Sequence, residues 1–504
     1  MENSALSMLP PIITIILALW TKEVYMSLIV GIFSGAMLFT GGNFIESIVT
    51  LFGIMESKVG GNVNILVFLV ILGILVAAIS RSGATRAYGE WARSVISGKR
   101  SSLGLTALLG MLIFIDDYFN CLTVGTIMRP VTDKFKICRA KLAYIIDATA
   151  APICIIAPVS SWAAAVGSSL PEGSDIDGFA LFIETIPFNL YAILTMIFMA
   201  FIIVTGRDFA TMGAEVRKNK EHFEIPAEYQ ENVAGEQAQG GNGKIFDLVL
   251  PLLVLIAACV YGMLYTGGIN DGATIAAAFA DCDASKGLVI GSFVAFVFTA
   301  LLYLPRRVVT FQSFCECFGQ GFKAMTPAIF ILCLAWTLSG ICGSDYLNLG
   351  GYVGNIVHEN ASLAVFLPVV FFLVAIGLAF ATGTSWGTFG ILIPIAVAVI
   401  HLTPETYNML VVCVAAILSG AVGGDHASPI SDTTILASAG AQCHHIDHVS
   451  TQVPYVLTVS ACCVVGYLVD GFTQNGWLGL GVALACLAVV MIVVRAKVPA
   501  VDVD

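Results

Sequence analysis

The sequence predicts an all-α polytopic membrane protein with two inverted structural repeats, each holding a re-entrant hairpin and a broken helix. Composition is the first reason: of 504 residues, 58% are hydrophobic and 11% charged, against about 45–50% and 25% in soluble chains. The apolar runs are the second. A hydrocarbon core of ~30 Å takes about 20 apolar residues per helix, and this chain supplies such runs almost end to end. The third is their order, which repeats on either side of one polar segment, 206–245.

So little charge excludes an ordinary soluble enzyme. Lys+Arg 23 against Asp+Glu 34 gives a net charge of −11. No basic patch meets phosphates, which excludes a nucleic-acid binder. The cysteines lie mostly in apolar runs (Cys121, Cys154, Cys259, Cys333, Cys413, Cys462, Cys463), where a thiol behaves as a small hydrophobe. No secreted disulfide framework is implied.

In chain order, 9–20 is short and carries Pro10-Pro11, so it reads as a broken or tilted first span. It lacks a basic flank and a small-residue cleavage site, and no cleaved signal peptide is expected. The first half continues with spans 24–41 and 61–80, a hairpin over 101–128, a Pro-broken helix over 142–167 and a span at 177–204. The second half reads 246–266, 287–305 and 324–343, then paired segments 362–381 and 384–401 about Thr382-Gly383-Thr384-Ser385-Trp386-Gly387-Thr388. A broken helix at 408–440 and a span at 452–469 follow, and 478–494 is one extra span. The organisation is therefore 1–205 as first repeat, 206–245 as a flexible cytoplasmic linker, 246–470 as second repeat, and 471–504 as a last span and tail.

Orientation follows the basic residues. They crowd 81–100, 129–141 (Arg129, Lys134, Lys136, Arg139, Lys141), the linker, Arg306 to Lys323, and the end at Arg495 and Lys497. All are placed in the cytoplasm, with Arg129 at its rim. Loops 81–100 and 129–141 are then on one side, separated by only 101–128, whereas two crossings need about 40 residues. A hairpin that enters and returns, its tip near Asp116-Asp117-Tyr118-Phe119-Asn120, resolves the conflict. One long tilted helix with a basic loop outside is the alternative. By the same rule the first half starts outside and the second inside, the inverted arrangement of secondary transporters, with the substrate site near the midplane.

Asp116, Asp117, Asp147, Asp425 and Asp432 lie inside apolar segments. A carboxylate at membrane depth costs roughly 2.5–3.5 kcal/mol, so together they cost on the order of 15 kcal/mol. Between Ala324 and Val494 there is no Lys or Arg to pair with them. Carboxylates with hydroxyls and freed carbonyls, and few basic groups, suit a small hard cation. Sodium or protons are the natural candidates, and their competition for one alternately exposed carboxylate suffices for antiport. The first-half set is Asp116, Asp117, Asn120, Asp147, Ser160 and Ser161. The second-half set is Thr382, Thr384, Ser385, Thr388, Asp425, His426, Ser428, Ser431, Asp432 and Thr433.

Sodium itself is assigned to Asp425, Asp432, Thr384 and Asp117. Asp425 and Asp432, seven residues apart across Ser428-Pro429, share a face if the helix continues through the proline. For each Asp the alternative is to cap a half-helix. Trp162 and Trp386 read as packing residues. Cys443-His444-His445-Ile446-Asp447-His448 reads as a solvated cytoplasmic turn rather than a zinc or pH-sensing cluster. Gly240-Gly241-Asn242-Gly243-Lys244 is not a P-loop, because no Ser or Thr follows the lysine.

Gly383-Thr384-Ser385-Trp386-Gly387-Thr388 and Gly424-Asp425-His426-Ala427-Ser428-Pro429-Ile430-Ser431-Asp432-Thr433-Thr434 resemble the NhaC family of bacterial sodium/proton antiporters, within the broader ion transporter superfamily. Asp116-Asp117-Tyr118-Phe119-Asn120 departs from it as a subgroup variant. The resemblance implies an elevator-type carrier in the bacterial inner membrane, with no enzymatic activity and no cofactor beyond the transported or coupling sodium ion. It does not fix the cargo, because similar proteins include sodium/proton antiporters, a malate–lactate exchanger and sodium-coupled amino-acid carriers. Sodium/proton antiport is favoured over sodium-coupled transport of an amino acid or small organic acid. Expected partners are the lipid bilayer, sodium, protons, a small organic solute under the alternative, and a second copy in a homodimer. Candidate dimer faces are 24–41, 177–204 and 287–305.

Overall fold

The computed structural model describes residues 4–21, 23–114, 116–170, 176–221, 241–280, 282–343, 345–349, 352, 361–400, 403 and 406–501. The described residues are all-helical. By length and composition, eight of their helices suffice to cross a membrane, or up to ten if each bent pair counts as one span.

The first part comprises α1 (Leu9–Thr21), α2 (Val24–Phe39), α3 (Phe44–Gly61), α4 (Val63–Ser82) and α5 (Ala84–Val95). Pro10 and Pro11 fall in the first turn of α1, where a proline loses nothing, so they do not break it. The segment 42–60, between the expected spans 24–41 and 61–80, is mostly helix: α2 and α3 meet at 118°. The hairpin follows as α6 (Lys99–Leu112) and α7 (Asp117–Lys134), packed on each other with a break before Asp117. The broken helix is in three pieces, α8 (Arg139–Ala148), α9 (Ala151–Cys154) and α10 (Ser161–Ser168), with Pro152 opening the second. The span expected at 177–204 is also broken, into α11 (Gly178–Thr185) and α12 (Leu190–Thr205), because Pro187 ends the first piece in a short 3-10 turn and Asn189 caps the second.

Of the expected linker, α13 (Ala210–Glu221) packs against α8, so its first third is structured. The stretch 222–240 lies outside the described residues. The second half holds α14 (Ile245–Thr266), α15 (Ile275–Ala280), α16 (Ala284–Tyr303) and α17 (Phe311–Cys342). Helix α17 starts well before the expected 324. Next come α18 (Leu367–Thr382) and α19 (Ser385–Val399), joined through Gly383, then α20 (Tyr407–Ala427) and α21 (Asp432–Ala441), joined through 428–431. The chain closes with α22 (His445–Thr473) and α23 (Gly476–Lys497).

Helices α14, α16 and α23 leave most of their apolar surface outward. Helix α20 is the opposite, buried continuously from Leu410 to Ala427, and α8 is buried along its whole length. Around these two pack α7, α12, α18, α21 and α22. Helix α12 is mostly interior, so 177–204 offers little face to a second copy. All fourteen cysteines are free.

Two glycine approaches set the geometry. Gly383 has φ +67°, and a Cβ there would stand 2.4 Å from the Ile430 carbonyl. The α18–α19 and α20–α21 breaks therefore touch through bare backbone. Helices α7 and α21 cross at Gly125 and Gly440, where a Cβ on Gly125 would lie 2.4 Å from the Gly440 carbonyl carbon. Arg129 is buried on this crossing rather than held at the rim, and donates to the Gly440 carbonyl at 3.3 Å. In an ordinary exposed helix Gly→Ala gains about 1 kcal/mol. Gly125→Ala should reverse that sign and destabilise by about 1–3 kcal/mol through overpacking, read as a lowered thermal midpoint of the purified protein in detergent.

Candidate functional site

The site forms where helices begin. Helices α19 and α21 pack against α20, Asp117 at the start of α7 comes within charge reach of Asp425 at the end of α20, and Ser161 at the start of α10 reaches Asp116, so four helix starts gather around these acids. The local sequence makes each start. Ser160 caps α10 through Ala163 N–H, Thr384 caps α19 through Gly387 N–H, and Ser431 caps α21 through Thr434 N–H. Positive helix ends at this depth offset part of the cost of burying carboxylates.

Asp116 and Asp117 stand at the start of α7, both 1% exposed, and Asp425 sits 3% exposed at the end of α20. Asp117 is close enough to interact through charge with both Asp116 and Asp425. Ser161 donates to Asp116 Oδ2 at 3.4 Å. Thr433 donates to Asp425 Oδ2 at 3.1 Å and shares a hydrogen bond with Ser431 at 3.0 Å. Asp117 Oδ1, Asp147 Oδ1 and Asp425 Oδ1 are each buried with no hydrogen-bond partner, the Asp147 oxygen lying 3.7 Å from His426 Nε2. Trp162 stands against Asp117 and packs edge-to-face on Trp386 at 5.9 Å, with Phe389 against both. Both indole N–H groups are also buried without a partner, so these tryptophans present polar edges to the site as well as packing. Ser385 lies at the same level, donating to the Ala421 carbonyl at 3.2 Å.

Asp147 heads a second group that ties α8 to α20, α21 and α22. Its Oδ2 accepts from Gln452 at 2.7 Å and Thr434 at 3.1 Å, with His448 Nε2 at 3.4 Å. His426 Nε2 is 3.1 Å from the Asp147 carbonyl, and its Nδ1 is 3.1 Å from the Tyr191 hydroxyl. A carbonyl only accepts, so Nε2 carries a proton, and in the neutral ring Nδ1 accepts from Tyr191. The solvated turn expected at 443–448 is thereby corrected: α22 starts at His445, and His448 is fully buried against Asp147. Tyr191, Thr434, His448 and Gln452 were not selected from the sequence. The three-residue step from His445 to His448 and on to Gln452 is a helical stripe that could have revealed two of them. Among the described residues, no three His, Cys, Asp or Glu are arranged to hold a metal ion by themselves.

Other predicted site residues are engaged locally. Asn120 Nδ2 lies within 3.0 Å of the Gly110, Ile113 and Thr149 carbonyls and pins the hairpin. Ser160 donates to the Cys154 carbonyl, Thr382 to Leu378 and Thr388 to Thr384, while Ser428 accepts from Ile430 N–H. Asp432 is exposed at the first turn of α21. The α20–α21 break ends the helical register, so Asp432 does not share the buried face of Asp425.

Two bases read as loop residues are also interior. Arg139 pairs with Asp133 at 2.8 Å and donates to the Gln442 carbonyl at 3.0 Å. Lys141, 1% exposed, meets fully buried Asp208 at 2.7 Å, and Tyr455 donates to the other Asp208 oxygen at 2.9 Å. This pair locks the base of α8 to the α12–α13 junction and to α22.

A family model described as the Na+/H+ antiporter family matches residues 162–472, more than half of the chain. An uncharacterized protein of Haemophilus influenzae is 40% identical over 98% of this chain and 96% of its own length. A malate-2H(+)/Na(+)-lactate antiporter of Bacillus subtilis is 31% identical over 36% of this chain and 43% of its own. The arginine/ornithine antiporter ArcD of Halobacterium salinarum is 35% identical over 22% of each. The fold is similar to that of the YdaH transporter of Alcanivorax borkumensis, with TM-score 0.59 at 14% identity over 86% of this chain and 90% of that one.

Removing one partner of a buried ion pair strands the other. Lys141→Met should therefore cost about 3–5 kcal/mol, whereas Lys141→Met with Asp208→Leu should recover most of the loss. Denaturation midpoints of the two variants in one detergent measure the difference.

Proposed function

The chain belongs to the Na+/H+ antiporter family, and from that premise we propose that it exchanges sodium for protons across the bacterial inner membrane, at Asp117 and Asp425. The observation that carries this reading is the pair of buried, unpartnered oxygens, Asp117 Oδ1 and Asp425 Oδ1, one from each half of the chain. A bare carboxylate in such a place must be neutralised by a proton or by a cation. Ser161, Ser385 and Thr433 supply the neutral oxygens that sodium needs alongside them. Sodium and protons exclude each other at the same oxygens, so a site open to one side at a time converts a gradient of one into a gradient of the other.

Asp147 also keeps a bare Oδ1, but Gln452, Thr434 and His448 crowd its other oxygen and His426 Nε2 stands 3.7 Å from the bare one, so it holds the surrounding helices in register rather than carrying the ion. Asp432 stands at the approach, and Thr384 acts by starting α19. The two halves move as inverted repeats of an elevator. The segment 206–245 and the C-terminus lie in the cytoplasm, and copies associate as homodimers through outward faces such as α16. A second reading is sodium-linked exchange of a small organic acid or amino acid. It is favoured by the partner-free indole N–H groups of Trp162 and Trp386, which could donate to a solute carboxylate, and by the malate–lactate and arginine/ornithine antiporters among the relatives.

In vesicles with an internal pH dye, added sodium alone should change internal pH. Asp425→Asn and Asp117→Asn should each lower that response about 100-fold or more, while Thr433→Ala should raise the half-saturating sodium concentration by about 10–150-fold, as for loss of one hydrogen bond to a charged group. A response that requires malate, lactate, arginine or ornithine would replace this reading with the second.

A further inference from the structure

The break between α20 and α21, residues 428–431, lies in no helix, yet it leads directly into the hydroxyls that reach Asp425. Pro429 brings no N–H of its own, and among the described residues no backbone N–H reaches the Pro429 carbonyl. A side chain does. His445, half-buried in the first turn of α22, places Nε2 2.6 Å from that carbonyl. A carbonyl only accepts, so Nε2 carries a proton. The other ring nitrogen, Nδ1, is 3.1 Å from Ser438 Oγ, and Ser438 donates to the Thr434 carbonyl one turn earlier at 2.7 Å.

One rigid ring therefore ties the break to the second turn of α21. Between those two anchors lies the first turn, which serves two buried acids. Ser431 caps α21 through Thr434 N–H at 3.3 Å and shares a hydrogen bond with Thr433, which donates to Asp425 Oδ2. Thr434 donates to Asp147 Oδ2. The next carbonyl of the break, that of Ile430, is the one packed against Gly383, so two successive carbonyls of the break are met by other elements. Without the imidazole, the Pro429 carbonyl loses its intramolecular partner and the start of α21 is free to open locally.

We propose that His445 is a positioning residue for the Asp425 site: by holding Pro429 and Ser438 it fixes the start of α21, and with it the reach of Thr433 to Asp425. This rests on the reading of Asp425 as an ion site. The ring acts through the break and through Thr433, not by contact with the ion.

Sodium-driven pH change in vesicles and hydrogen exchange of the purified full chain, measured on the same variants, test this. His445→Ala should raise the half-saturating sodium concentration by about 3–10-fold, the worth of one neutral hydrogen bond, with the maximal rate within about twofold. His445→Gln, whose amide still offers an N–H, should lie between it and the wild type. With Thr433→Ala already present, His445→Ala should add less than about twofold, because its effect runs through that hydroxyl. Amides of 428–435 should exchange about 3–10-fold faster in His445→Ala whichever cargo is carried, and those of 385–399 should not change. Should His445→Ala fail to fold, Ser438→Ala removes the second anchor alone and should shift sodium dependence and exchange in the same directions. Full multiplication of the His445 and Thr433 effects, an unchanged sodium dependence, or unchanged exchange at 428–435 would overturn the proposal. A wild type that ignores sodium would overturn the antiport reading instead, and exchange at 428–435 would then decide this one alone.

Discussion

A carboxylate cannot stand bare in a hydrocarbon-depth interior, and much of this architecture follows from that constraint. The chain answers it in three ways. At Asp116, Asp117 and Asp425 the answer is geometric: the starts of α7, α10 and α21 bring Asp117, Ser161 and Thr433 to these acids, and α19 packs on the same helix. At Asp147 it is a dense set of hydrogen bonds from Gln452 and Thr434. At Asp208 it is direct charge pairing with Lys141, helped by Tyr455.

These answers leave different chemistry behind. Asp208 and Asp147 are held by their partners and fix helices in place. Asp117, Asp147 and Asp425 each keep an oxygen without a hydrogen-bond partner, but only Asp147 has an imidazole nitrogen, that of His426, 3.7 Å from it and three groups on its other oxygen. Under the proposed function the other two exchange one neutralising group for another. Broken helices make this possible. An unbroken span satisfies its own backbone and leaves nothing for a ligand, whereas a break frees N–H and C=O groups at depth. The glycines at 383, 125 and 440 serve the same end, because they let the breaks and the crossing helices approach without intervening side chains.

Much of this was legible in the sequence. The hairpin break before Asp117, the Pro-broken α8–α10, the Gly383 break and the Ser428–Ser431 break are where turn chemistry interrupts apolar runs, a local signal. Asp117, Asp425, Ser161, Ser385 and Thr433 were identified because polar groups in such runs are expensive. What local patterns did not carry was partnership. Lys141, Arg139 and Arg129 counted as loop bases until α13, Gln442 and Gly440 were seen to enclose them. His448 looked solvated because its helix begins at His445, seven residues before the apolar run expected from 452. Asp432 looked equivalent to Asp425, but the break between them turns it outward.

The sequence by itself therefore determined the membrane class, most of the places where helices break and which acids lie within apolar segments. Those properties depend on residue type and spacing along the chain. Tertiary structure alone decided which acids keep an unpaired oxygen and which are tied to Gln452 or Lys141. Pairing is a matter of neighbours dozens to hundreds of residues apart. It is set by how closely helices pack across glycine contacts, and no periodicity records that.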